Sequence, residues 1–215
     1  MSISNYTELQ TAITNWLTRD DFSSRYPEFI ANAEARLNRA LRVRDMETST
    51  TLVLASGSAS LPSNYLEWLS ARWVGASRSQ DLLYVTPDSE AWRFRYRPNQ
   101  DPTMFTIMAG SFHTRPAGST ENVTFYYYRT IPDLAANSTN WLLSKAPDLY
   151  LNLSLMEAAI YVMDDQRAMS FWALAEQDIN RLNGEADSNK VWRREGHDKT
   201  VQDKAESRSI QTGPV

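Results

Sequence analysis

The sequence predicts an α+β fold: a helical pair over residues 1–47, an antiparallel β-rich domain inserted over 48–143, and a second helical pair over 144–183. An extended C-terminal tail, 184–215, closes the chain. Three observations carry this prediction. Apolar residues recur at helical spacing at both ends of the folded part. Between them, short apolar runs rich in Thr, Val, Ser and Tyr alternate with turn residues. Beyond 183 the apolar residues nearly stop, and a segment of that kind cannot bury enough surface to fold alone.

The first stripe is Tyr6, Leu9, Ile13, Trp16 and Leu17, with Thr7-Glu-Leu-Gln10 matching a capping box at its start. A polar turn over 18–24 interrupts it. Pro27 suits a first helical position, where its missing N–H costs nothing. Phe29, Ile30, Ala33, Leu37, Ala40 and Leu41 then form the second stripe. In the middle, 50–54, 68–74, 82–85, 104–108 and 123–129 read as strands, punctuated by Gly57, Pro62, Gly75, Pro98, Pro102, Gly110 and Pro116. Strands without long helices between them imply a largely antiparallel sheet. Phe125 and Tyr127 share one face of the last strand and Tyr126 and Tyr128 the other, which predicts cover on both sides. Residues 149–163 are apolar around almost the whole helical circumference and should lie in the middle of the fold. Asp164-Asp165 marks the break, Ala168, Phe171, Trp172, Ala175, Ile179 and Leu182 form the last stripe, and Gly184 is the expected stop.

Composition excludes several functions. With 215 residues, 42% apolar and 11% aromatic, the chain is long enough for a substantial core. A net charge of -4 argues against a dedicated binder of phosphate backbones. The absence of cysteine excludes a disulfide scaffold, thiolate metal sites and a thiol nucleophile, and it suits synthesis in a reducing cytoplasm. The start has neither a basic nor an apolar leader region, and no apolar run approaches the roughly 20 residues of a membrane helix, so no membrane partner is expected. The two histidines, His113 and His197, lie far apart without ligand-like spacing, and no phosphate loop or nucleophile elbow is present. No catalytic, metal-binding or cofactor-binding residues are therefore assigned. The competing reading is a glycosidase working with paired carboxylates, for which Asp20-Asp21, Asp164-Asp165 and Glu176 with Asp178 are the candidates. All three pairs fall at helix ends or on polar faces, where acids are ordinarily solvated.

Two elements point to partners. The second helix carries Arg36, Arg39, Arg42 and Arg44. Residues 1–47 hold six basic and seven acidic groups, a local balance of -1 that disfavours a DNA grip. The arginines fit the negative end of the helix dipole, or pairing with carboxylates of a neighbouring subunit. The tail balances six acidic against six basic residues and holds only Val191, Trp192, Val201 and Ile210 as sizeable apolar groups. Alone it is expected to be disordered, and ordered only when another chain holds it. Trp192, Arg193 and Arg194 have the residue types that anchor protein interfaces.

Taken together, "YPEFIANAEARLNRALRVRDME", "LPSNYLEW", "LLYVTP", "FYYYRTIPDL" and "NWLLSKAPDLYLNLSLMEAAIYVMDD" make the chain resemble the head-to-tail adaptor (connector) proteins of tailed bacteriophages, including the tail accessory factor of short-tailed phages. The resemblance runs from about Tyr6 to Leu182, and "PDLYLNLSLMEAAIYVMDD" is its most telling piece. It implies that the four helices form one bundle in each subunit. It also implies a structural, non-enzymatic protein of the virion neck, in a homo-oligomeric ring of twelve copies beneath the portal protein. Such a ring extends the DNA channel for genome retention and ejection, receives tail or nozzle proteins, and lets DNA pass without specific binding. The tail would dock on the portal through Trp192, Arg193, Arg194, Val201 and Ile210, and the four arginines would lie near a subunit seam. Peptidoglycan-hydrolase activity is associated with the tail accessory factor, which makes a virion-associated peptidoglycan hydrolase using paired carboxylates the alternative, but no motif for it is present here.

Overall fold

The computed structural model describes residues 3–17, 22–94, 101–117 and 122–186. These residues form two compact units, one built from the chain up to Arg44 and from Ile131 onward, the other from Asp45–Thr130.

The first unit is helical. It contains α1 (Tyr6–Leu17), α2 (Tyr26–Ala40), α4 (Leu134–Asn137), α5 (Trp141–Lys145), α6 (Pro147–Tyr161) and α7, helical over 165–186. The cap of α1 lies two residues before the expected box. The Asn5 side chain accepts from the Glu8 N–H at 2.9 Å, and the Glu8 carboxylate accepts from the Ser4 N–H and hydroxyl, each at 2.8 Å. The core is drawn from Leu9 and Ile13 of α1, Phe29, Ile30, Ala33 and Leu37 of α2, and Leu149, Leu153 and Leu155 of α6, all buried. On α6, residues 153–159 are buried without a gap, in keeping with an all-round apolar helix at the centre of its unit. Gly184 does not stop α7. Leu182 and Ala186 bury the same face one turn apart, and Asn183 holds the turn by accepting from the Arg42 N–H at 3.1 Å and donating to the Ala40 carbonyl at 3.0 Å.

The second unit carries eight strands: β1 (Glu47–Val53), β2 (Ser58–Ser60), β3 (Tyr65–Val74), β4 (Ser79–Asp81), β5 (Leu83–Tyr84), β6 (Met104–Met108), β7 (Ser111–Arg115) and β8 (Asn122–Arg129). A short helix, α3 (Glu90–Phe94), lies between β5 and β6. The strands make two four-stranded sheets, ordered β1-β8-β3-β4 and β2-β7-β6-β5. All pairings are antiparallel except β5 with β6, where the connection through α3 returns the chain in the same direction. Leu52, Trp73, Val123 and Phe125 of the first sheet share one core with Phe105 and Phe112 of the second. Phe105 and Phe112 stack at 5.1 Å, and Phe112 meets Phe125 edge-on at 5.3 Å. Two hairpins turn through left-handed residue pairs, Ser56-Gly57 (φ 52° and 77°) and Ala109-Gly110 (φ 50° and 71°), where the second position favours glycine. The aromatic ladder is covered unevenly: Phe125, Tyr127 and Tyr128 are buried, while Tyr126 is exposed.

The fold is α+β, but the expected four-helix bundle with one inserted antiparallel domain is overturned. Among the described residues there are seven helices, and the strands form two sheets with one parallel pairing. The extra helices are too short to print a period of 3.6 in sequence, and caps rather than stripes create two of them. Asp133 accepts from the Ala135 N–H at 2.7 Å to start α4, and Asn140 accepts from the Leu143 N–H at 2.8 Å to start α5.

Candidate partner-binding face of the helical unit

Helix α2 sorts its polar residues by direction. Glu34 and Asn38, one turn apart, both accept backbone N–H groups from the chain that re-enters the unit after Thr130. Glu34 takes Leu134 at 3.0 Å and Asn38 takes Ile131 at 2.8 Å. The Tyr150 hydroxyl also reaches Glu34, at 3.5 Å, and accepts from the Asn140 amide at 2.7 Å. That amide donates as well to the Pro132 carbonyl at 2.8 Å. Burial, opposed by the Leu134 N–H and reinforced by the nearby Asp133 carboxylate, pushes the Glu34 carboxyl up to about 7. Burial likewise pushes the Tyr150 hydroxyl well up, so it stays protonated.

The four arginines Arg36, Arg39, Arg42 and Arg44 do not act as one patch. Arg36 Nε donates to the Glu157 carboxylate of α6, and Glu157 is buried. Arg39 is exposed and donates to the Ala35 carbonyl of its own helix at 3.2 Å. Arg42 folds back on the helix end, donating to the carbonyls of Asn38 at 2.9 Å and Leu41 at 2.7 Å. This is where cations suit the helix dipole. Arg44 is exposed. The tail residues Trp192, Arg193, Arg194, Val201 and Ile210 lie outside the described residues, as do Asp20, Asp21 and His197.

Of the other carboxylates weighed from sequence, Asp164 caps α7 by accepting from the Arg167 N–H at 3.1 Å, and it pairs with that guanidinium at 3.4 Å. Asp178 pairs with Arg181 at 3.6 Å; burial pushes its carboxyl up, Asp148 adds to this, and Arg181 opposes it. His113 sits within β7, opposite Ser58 and Thr106. The pair that does converge, Glu34 and Asp133, was not among the sequence candidates, because 99 positions separate the two residues. Among the described residues no group of three or more His, Cys, Asp or Glu is placed to hold a metal ion, and no helix is long and apolar enough to cross a membrane.

What the helical unit does present is an apolar end. A hollow of about 260 Å³ is lined by Arg36, Met156, Ile160, Ala168, Met169 and Trp172. Met169 of that lining is 73% exposed, and Met163, just past the end of α6, is 88% exposed. Met163 occupies the left-handed position (φ 60°) that ends α6. The Asp164 N–H bonds the Ala159 carbonyl at 2.9 Å, the long bond of a Schellman cap. Glycine is the usual residue there. A large apolar side chain held in that conformation, almost wholly in water, serves neither the cap nor the core. Close by, Tyr161 packs against Phe22 and Phe29 at 5.5 and 5.6 Å, with the Arg25 guanidinium 5.9 Å from its ring centre. Sequence periodicity placed Trp172 in a core stripe; only the folded helix shows it at the edge of an open hollow.

The helical unit thus presents apolar surface at a helical turn and cations at a helix end, while Asp164 and Asp178 are engaged in a cap and in ion pairs. The family model described as SU10 adaptor protein matches residues 4–196, and the chain belongs to that family. Membership bears out the resemblance to phage head-to-tail adaptors and gives the chain an adaptor role in a phage. No curated protein matches the chain.

Proposed function

We propose that this chain is a structural neck protein that assembles as a ring between the portal and the tail of a tailed phage and extends the DNA channel. The observation that carries the reading is the family match over residues 4–196. The apolar end of the helical unit supports it, since exposed Met, Ile and Trp side chains around a hollow are what a protein-binding face contains. Ring closure needs two different faces on each subunit. The apolar end supplies one. The C-terminal end of α2 supplies the other, with Arg39 and Arg44 as the exposed members of the set Arg36, Arg39, Arg42 and Arg44. Portal docking falls to the tail, through Trp192, Arg193, Arg194, Val201 and Ile210, and a mildly acidic subunit lets DNA pass without gripping it. The copy number in this reading is twelve.

The test is co-assembly with the portal. The full chain is expected to form a portal–adaptor particle of defined mass, and a chain ending at Ala186 is expected to stay folded but to sediment apart from portal rings. Full occupancy by the shortened chain would end the docking assignment. A turbidity assay on peptidoglycan is expected to show no clearing. Clearing abolished by a single carboxylate-to-amide change would replace the structural reading with the hydrolase.

A further inference from the structure

Glu34 and Asp133 approach the same short helix from two sides. Glu34 reaches up from α2 and accepts the first N–H of α4, at Leu134, and Asp133 accepts the next, at Ala135. Their settings differ: Glu34 is 8% exposed, whereas Asp133 lies in solvent. Among the described residues the titratable groups facing Glu34 are Asp133 at the start of α4, Tyr150 on α6 and Tyr6 on α1. None of these is a cation. A carboxylate buried without a positive partner is costly, and a second carboxylate on the same turn makes it more so.

The same few residues hold the re-entering chain in place. Ile131 and Leu134 hang on Asn38 and Glu34, Pro132 on the Asn140 amide, and Ser138 accepts from the Tyr6 N–H at 2.7 Å. We propose that Glu34 and Asp133 form a proton-sensitive latch on the segment 131–138: a protonated Glu34 keeps the segment seated on α2 and α6, and ionised Glu34 releases it. The physical reason is hydration. Ionisation puts two negative charges on one turn, one of them buried, and lifting the turn admits the water that relieves both. The rise of the Glu34 carboxyl to about 7 places the switch near neutrality rather than in acid.

The test is hydrogen exchange on the full chain, followed in the peptide covering 131–138 from pH 5.5 to 8.5 and corrected for the intrinsic rate. In the wild type, protection is expected to fall by about tenfold, the change that one pKa unit of coupling supplies. Glu34→Gln, which keeps the acceptor and cannot ionise, should hold the protected level at every pH. Asp133→Asn should shift the wild-type midpoint to lower pH by removing the facing charge's contribution. Protection independent of pH in the wild type, or an equal fall in Glu34→Gln, overturns the latch. A midpoint unmoved or raised in Asp133→Asn removes Asp133 from it.

Discussion

Replacing Arg36 with methionine removes the positive partner of a carboxylate that cannot reach bulk water easily. The Glu157 side chain is 9% exposed and the Arg36 side chain 40%. Breaking a fully buried pair costs about 3–5 kcal/mol, chiefly because the surviving charge is left unpaired. Here the arginine end is wet, so water can take over part of its role, and about 2 kcal/mol is the expected loss. The reverse change, Glu157→Gln, leaves the charge on the more exposed partner and should cost about 1 kcal/mol. In the double variant the buried charge is gone, so it should be about 1–2 kcal/mol more stable than the sum of the singles predicts. Urea unfolding followed at 222 nm, where the helical unit dominates, measures all four proteins. Simple additivity would refute the claim that Arg36 serves the interior of its own chain. It would return Arg36 to the pool of charges free for a neighbouring subunit.

Three further outcomes follow from the same structure. The Glu34 carboxyl is raised from its ordinary value of 4.5 to about 7, so its stabilisation is fully present below pH 4.5 and is lost as pH rises through 7. Glu34→Gln should therefore gain about 1–2 kcal/mol relative to the wild type between pH 4.5 and pH 8 in chemical denaturation; a difference constant across that window contradicts the assignment. Ser154 is wholly buried in α6 and its hydroxyl has no hydrogen-bond partner among the described residues, so Ser154→Ala should raise stability by about 1 kcal/mol, and a lower melting temperature would show that the hydroxyl is satisfied after all. Met163→Gly should stabilise the α6 cap by about 1 kcal/mol while weakening particle assembly with the portal; unchanged assembly would take Met163 out of the partner face.

Periodicity in the sequence located the long elements. The stripes on Leu9–Ile13, Phe29–Leu37 and Leu149–Met156 became the buried faces of α1, α2 and α6, because a long helix repeats its contacts often enough to print them in the chain. The runs at 50–54, 68–74, 104–108 and 123–129 became strands for the same reason. Shorter elements left no such print. Strands β2 and β4 have three residues each, and α4 and α5 have four and five; they exist because partners and caps hold them. The start of α1 shows how local and tertiary signals diverge: Thr7 offered a box, but Ser4 and Asn5 with Glu8 satisfy the free N–H groups first.

The sequence by itself settled where the long helices and strands lie, the absence of thiol chemistry and the ordered set of segments that resembles phage adaptors, because those depend on residue type and near-neighbour spacing. Tertiary structure alone decided that the strands divide between two sheets, with one pair parallel. It also decided that Arg36 faces Glu157 across 121 positions, that Gly184 lies inside a helix rather than after it, and that Met169 and Trp172 border an open hollow. The reason is the same in each case. Such facts concern which side chains meet after the chain has turned back on itself, and Glu34 meeting Leu134 beside Asp133 is the clearest of them, since no local pattern links one turn of α2 to the start of a short helix a hundred residues on.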